Sequence, residues 1–218
     1  MEMSVSSPAT GLRERHKRQR RQRILEAIRE LLRERPHETP TVERIAQRAD
    51  VSPATVFNLV GPREQQWAAL SDELLHELDV RLARAPDDDP RERARTIVAE
   101  AADLFIADAA VFKHLVGSWG HSGTLLLENP IPHLRAALRR GQDMGMLRAG
   151  LHVDALAGHI ATACGGALRH WASGQISDAA FRTRVRFAVD VVFAASASDD
   201  HAAALRAPLE RASRRATR

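Results

Sequence analysis

Apolar residues return every three or four positions along nearly the whole chain, and no segment sustains the strict alternation of a half-buried strand. In RILEAIRELLRE, Ile24, Ala27, Ile28, Leu31 and Leu32 make one stripe on a helix, which Pro36 ends. Val42, Ile45, Ala46 and Ala49 repeat the spacing in TVERIAQRAD, and a short helix PATVFNLV follows, stopped at Gly61-Pro62. A long helix is predicted from REQQWAALSDELLHELDVRLARA, with Trp67, Leu70, Leu74, Leu78 and Leu82 on one side. After the linker APDDDP, Asp89-Pro90 predicts a cap and first turn for a helix striped by Ala94, Ile97, Val98, Ala101, Leu104 and Phe105. VFKHLV is shorter and broken by Gly117, Gly120 and Gly123. PHLRAALRRGQDMGML and two helices over 154–173 and 178–197 complete an all-α chain without internal repeats.

With 218 residues the chain can bury a real core without a disulfide or metal staple. Its one cysteine, Cys164, excludes an intrachain disulfide and favours a reducing compartment, so a cytoplasmic location is expected. The basic N-terminus is not followed by the apolar region of a secretory signal, and no run of 18 apolar residues exists to span a membrane. Charge is segregated. The net +4 resolves into +6 over residues 11–23, +4 over 205–218 and −6 elsewhere. Such strips suit a phosphate-binding arm, a membrane surface or a solvated tail.

The chemistry lies in TPTVERIAQRADVSPATVFNLVGPRE, residues 39–64, which reads as two helices joined by a tight turn. Ser52 is the N-cap of the second helix and Pro53 its first residue, where a missing N–H costs nothing. Val51 and Val56 have the spacing of a hydrophobic staple. Ala46 is small where two helices must cross, and Asp50 falls where the turn needs a left-handed residue. These are the spacings of a helix-turn-helix, whose second helix enters a DNA major groove.

The string Thr41-Val-Glu-Arg-Ile-Ala-Gln-Arg-Ala-Asp-Val-Ser-Pro-Ala-Thr-Val-Phe-Asn-Leu-Val-Gly-Pro-Arg-Glu64, with Arg23-Ile-Leu-Glu-Ala-Ile before it, resembles the TetR family of transcriptional regulators. The resemblance is strong over about residues 20–70 and weaker beyond. It implies a bacterial one-component regulator, most simply a repressor, that binds a near-palindromic double-stranded operator as a homodimer and is released by a small-molecule effector. The implied layout is a flexible basic arm over 1–19, a DNA-binding domain over 20–66, a ligand-binding and dimerisation domain over 67–198 and a tail over 199–218, either a short helix or disordered. Asp50, Phe57, Val60 and Arg63 stand where the family pattern has Gly, Tyr, Phe and Lys. Phe57 therefore lacks the hydroxyl that usually reaches a phosphate, whereas Arg63 keeps the cation.

Position and chemistry suggest the following roles. Thr41, or Thr39 with Pro40 at the first helical position, caps the first helix of the motif and can present its hydroxyl and amide to a phosphate. Ser52, Pro53, Ala54, Thr55, Phe57 and Asn58 belong to the reading surface, with Arg63 beside it. Asn58 can pair bidentately with adenine, Thr55 can meet a phosphate or a thymine methyl, and Ala54 can pack on a methyl. Glu43, on the first helix of the motif, can accept from a cytosine amine, although an exposed helix-face glutamate is more often merely solvated. Arg44, Arg48 and Arg63 are outweighed in this stretch by Glu38, Glu43, Asp50 and Glu64, so non-specific affinity must come largely from the +6 strip.

The helices over 154–173 and 178–197 are apolar on more than one face and need burial on two sides, which the resemblance implies a second subunit provides. Gly158, Gly165 and Gly166 permit close approach of helices. Phe105, Phe112, His114, Trp119, Met144 and Trp171 are candidates for the wall of an effector pocket, with an apolar or cationic-amphiphilic molecule favoured over a sugar phosphate. Catalysis finds little support: there is no Gly-rich phosphate loop, nucleophile elbow or paired-carboxylate pattern, and no cofactor is implied. Glu73-Leu-Leu-His76 has a metal-ligand spacing, but its would-be second copy at Glu34-Arg-Pro-His37 contains a proline. The competing reading is a helical small-molecule binding protein or enzyme whose basic arm is incidental.

Overall fold

Helix α1 (Pro8–Glu34) starts far upstream of its apolar stripe. The structure, a computed structural model, describes residues 8–85, 88–117, 130–206 and 209. The flexible arm expected over 1–19 is corrected over 8–19, which are turns of α1; residues 1–7 lie outside the described residues. Pro8 opens the helix, and from Leu12 to Glu34 the chain is dominated by Arg, Gln, Glu and Leu, without Gly or Pro. Once the 24–32 half is held by packing, each further turn extends an existing helix rather than nucleating a new one.

Ile24, Leu25, Ile28, Leu31 and Leu32 of α1 are buried together with Ile45, Ala46 and Ala49 of α2 (Val42–Ala49) and with Val56 and Val60 of α3 (Pro53–Val60). The three helices pack pairwise. Helix α4 (Arg63–Leu82) buries its whole predicted stripe, Trp67 to Leu82. The chain divides into two compact units between Asp72 and Glu73, inside α4, rather than after residue 66. One reason is Gln66, buried and donating its side-chain N–H to the carbonyl of Gly61, which ties the first turns of α4 to the helix-turn-helix.

The second unit contains α5 (Pro90–Ala107), α6 (Ala109–Gly117), α7 (Pro130–Asp143), α8 (Val153–Ala172) and α9 (Asp178–Ser196), then a 3-10 turn at Asp199–His201. Asp89 caps α5 as its sequence predicts, accepting from the N–H of Arg91 at 2.7 Å and of Glu92 at 3.1 Å. Helices α5, α7, α8 and α9 form a closed ring in which each packs on two others, and α6 packs on α5 and α8. Among the described residues the one β contact is an antiparallel bridge, Leu147 with Ala197, which pins the α7–α8 connection to the end of α9. The tail begins helically, with Leu205 buried; Arg211, Arg214, Arg215 and Arg218 lie outside the described residues.

An ion cluster inside this apolar ring escaped the sequence reading. Asp190 on α9 is 1% exposed, between Val189 and Val191. Arg91 on α5 donates to its Oδ1 through Nε (3.1 Å) and Nη2 (2.8 Å), and Arg95 donates to Oδ2 at 2.9 Å. Burial alone would depress the pKa of Arg95, but Asp190 and Glu92 outweigh it and hold the group above its usual value. Removing the carboxylate leaves two guanidinium groups without their buried partner. Asp190→Ala is expected to cost about 3 kcal/mol of unfolding free energy. Glu77→Ala, which removes the exposed Arg81 pair, should change it by less than about 1 kcal/mol. Urea denaturation of both variants checks the contrast.

Candidate nucleic-acid interface and effector cavity

Three local devices set the direction and face of α3. Thr41 caps α2, its Oγ1 accepting from the N–H of Arg44 at 3.3 Å; because α2 starts at Val42, Pro40 precedes the helix instead of opening it. At the other end Asp50 adopts φ 52° and ψ 56°, and its N–H is directed at the carbonyls of Ala46 and Gln47. Aspartate accepts this left-handed conformation better than most residues with a β-carbon. Ser52 then caps α3, accepting from the N–H of Thr55 at 3.2 Å, with Pro53 in the first turn. After α3 the chain leaves through Gly61 at φ 81° and ψ −167°, a conformation essentially confined to glycine.

The burial of Val56 and Val60 fixes which side of α3 faces outward. Ser52, Pro53, Ala54, Phe57 and Asn58 are exposed, Thr55 is half-buried, and Thr41 and Arg63 are exposed on the neighbouring elements. Phe57 stands out at 57% exposure. The Ser52 and Thr55 hydroxyls lie 2.9 Å apart and hydrogen-bond to each other. Asn58 is thus the only side-chain amide on the exposed face of α3.

The cations divide into engaged and available groups. Arg44 donates to Glu38 at 3.1 Å, and Arg48 reaches Glu30 and Glu34 on α1 at 3.0 and 2.7 Å. Hydrogen bonds from Arg35 and Arg44 hold the Glu38 carboxyl below its usual range, while Glu30 and Glu34 raise the Arg48 guanidinium. These pairs fasten α2 to its neighbours and were not legible from local sequence. By contrast Arg13, Lys17, Arg18 and Arg23 on α1, and Arg63 on α4, are exposed, Arg21 is half-buried, and none of the six makes an ion pair among the described residues. Arg13, Lys17 and Arg21 extend the face that carries Ile24, Ile28 and Leu31 in the packed half of the helix.

A cavity of about 30 Å³ lies among α5, α7, α8 and α9, lined by apolar side chains including Ala101, Phe105, Leu134, Leu168 and Phe181, and by Cys164. Of the residues proposed for a pocket wall, it takes in Phe105. Phe112 is fully buried and packs edge-on against Phe105 at 4.6 Å. Trp171 is a core residue: it stacks on Phe181 at 5.3 Å, donates its Nε1–H to Asp178 at 2.7 Å, and has Lys113 Nζ 5.0 Å from its ring. His114 is half-exposed on α6. Met144 is corrected: it lies beyond the end of α7, in the turn that Gly145 closes at φ 69°, and is 53% exposed to solvent. Trp119 lies outside the described residues.

The fold of this chain, a three-helix unit with a helix-turn-helix followed by a helical unit, is shared with solved structures described as TetR-family transcriptional regulators. The chain is similar to RolR in its complex with resorcinol, with a TM-score of 0.66 at 19% identity, covering 91% of this chain and 96% of that one. It is similar to SmeT, described as the repressor of the SmeDEF multidrug efflux pump of Stenotrophomonas maltophilia, with a TM-score of 0.64 at 21% identity, covering 82% and 91%. A TetR transcriptional regulator from Rhodococcus sp. RHA1 gives a TM-score of 0.61 at 15% identity, covering 81% and 97%. No family model and no curated protein matches the chain by sequence.

Burial pushes the Cys164 thiol up to about 12, so it is protonated at neutral pH and a poor nucleophile. Iodoacetamide at pH 8 should alkylate the native protein at least about tenfold more slowly than the protein unfolded in urea, where the thiol regains its ordinary acidity. Mass spectrometry of the modified chain gives both rates.

Proposed function

We propose that the protein is a TetR-like transcriptional regulator, a repressor that binds a near-palindromic double-stranded DNA operator as a homodimer and is released by a small molecule. The observation that carries this reading is the exposed face of α3, held by the Asp50 turn and the Ser52 cap within a fold shared with transcriptional regulators. Residues Thr41, Ser52, Pro53, Ala54, Thr55, Phe57, Asn58 and Arg63 form the DNA-contacting surface in this proposal. Thr41 and Arg63 serve the backbone, and Asn58 serves a base edge. SmeT, described as a repressor, supports the direction of control.

The unpaired cations of α1 supply the sequence-independent part of binding. They are helical rather than flexible, so a backbone contact by an ordered helix fits better than an unstructured strand in a minor groove. For the homodimer, the support is a row of incompletely covered residues at helical spacing on each of two helices. These are Ala155, His159, Thr162, Ala163 and Gly166 on α8, and Arg184, Phe187, Ala188, Val191 and Ala195 on α9. A β-carbon placed on Gly158 or Gly166 would meet nothing within 4 Å, leaving room for another backbone to approach. The wall of the cavity carries no charged side chain among its described residues, which supports an uncharged, mainly apolar effector. RolR, solved with resorcinol, supports a small-molecule ligand for this fold.

Binding to the DNA upstream of the protein's own gene, titrated against salt and compared with scrambled DNA, tests the reading. A preference for the native sequence is expected, and its absence would sink the repressor proposal. Loss of all DNA binding would instead favour the small-molecule binding protein. Asn58→Ala should relax base preference at one position in each half-site at a cost of about 1–3 kcal/mol. Deleting residues 1–22 should weaken all sequences alike and flatten the salt slope by roughly one unit for each phosphate no longer neutralised. Phe187→Arg should convert the dimer to a monomer of unchanged helicity, which light scattering and circular dichroism would report together.

A further inference from the structure

We infer that α3 reads a half-site of adjacent A·T pairs, recognising thymine through its 5-methyl group with Phe57 and Ala54 while Asn58 pairs with adenine. The inference rests on the operator-binding reading above and adds the chemistry of the bases. It starts from what α3 lacks. Its eight residues, Pro53 to Val60, contain no charged side chain. Guanine is most often read by a bidentate Arg or Lys, and cytosine by a carboxylate accepting from its amine. Neither reader exists on this helix. Of the nearby guanidinium groups, those of Arg44 and Arg48 on α2 are committed to Glu38, Glu30 and Glu34, and Arg63, at the start of α4, is the backbone contact of the reading above.

What α3 does offer is narrow. The Thr55 hydroxyl is bonded to Ser52 and half-buried, leaving the Asn58 amide as the helix's free polar reader. Ala54 and Phe57 are one turn apart, and with Asn58 they occupy the arc opposite the buried Val56 and Val60. Phe57 is 57% exposed on a surface that is otherwise mostly polar. A phenyl ring donates no hydrogen bond to phosphate and offers an amine only a weak N–H···π contact. In a major groove, the group it can recognise by contact is the thymine methyl. A·T pairs satisfy both halves of this surface, since one strand presents the methyl and the other the adenine edge that an Asn amide matches.

The experiment uses full-length protein at fixed salt. Sites are selected from a random duplex library, and thymines in the selected half-site are then replaced singly by deoxyuridine, which lacks the methyl. Adjacent A·T pairs should be enriched, and uracil at a contacted position should weaken binding about fourfold, the worth of burying one methyl group. Phe57→Ala should bind the thymine site as weakly as the wild type binds the uracil site, and should no longer distinguish the two. Phe57→Leu, still apolar, should keep the distinction. Half-sites built on G·C pairs, or equal binding to thymine and uracil by the wild type, would overturn the inference while leaving operator recognition intact. Selection of no sequence at all would overturn the operator reading and the inference with it.

Discussion

Asp50 holds φ 52° and ψ 56°, and this single left-handed step sets the direction in which the chain leaves α2. Such a conformation costs a residue with a β-carbon roughly 1–2 kcal/mol. Hydrogen bonding that closes the end of α2 offsets it: the Asp50 N–H is directed at the Ala46 and Gln47 carbonyls, and Val51 N–H bonds to Ala46 at 3.0 Å. Ser52 and Pro53 then define the start of α3, and the burial of Val56 and Val60 defines its rotation. A turn of about 100° about its own axis, one residue's worth, would carry the buried Val56 to the exposed position of Phe57 and the Asn58 amide to the half-buried position of Leu59. The outward face is therefore a consequence of packing, decided before any ligand is met.

The same economy governs charge. Cations close to the turn are used to hold α2 in place, through Arg44 to Glu38 and through Arg48 to two glutamates of α1. They hold position at the expense of presenting free positive charge. Apart from Arg63 at the start of α4, the unpaired cations lie in the first half of α1, where no core is needed and residues 13–23 are polar throughout. A face that packs hydrophobically through Ile24, Ile28 and Leu31 becomes, two turns earlier, a face of Arg13, Lys17 and Arg21. One helix thereby serves stability at one end and long-range attraction at the other.

Much of this was legible because burial follows periodicity. The stripes at 24–32, 67–82 and 94–105 are buried residue by residue, and the Thr41, Ser52 and Asp89 caps are where local chemistry demands them. Three features resisted the same reading for physical reasons. The basic strip carries no apolar stripe, so its helicity comes from propensity and from growth out of the packed half of α1. The partners of Asp190 lie 95 and 99 residues away, and no local pattern can announce a pairing made by tertiary structure. Aromatic residues on helical stripes were equally ambiguous. Trp171 and Phe112 are core, Phe105 faces the cavity, and only three-dimensional packing separates the two fates.

On the regulator reading, the ring of α5, α7, α8 and α9 also constrains how an effector acts. A cavity of about 30 Å³ is far below the several hundred Å³ of a typical ligand site, so occupancy must part the helices around it. The ring is not equally yielding. Helices α5 and α9 are clamped by Asp190 and its two arginines, whose separation would strand buried charge. Helix α7 shares no comparable buried ion cluster with α5 among the described residues, and its His133 Nε2 lies 2.9 Å from Asp79 on α4, the helix that continues into the helix-turn-helix unit. Displacing α7 therefore disturbs the exposed His133–Asp79 contact, whereas displacing α9 must break the buried ion cluster. A ligand shifts this equilibrium only by its difference in affinity between the two arrangements. An apolar molecule gains that difference by covering surface that separation of α7 would otherwise expose to water.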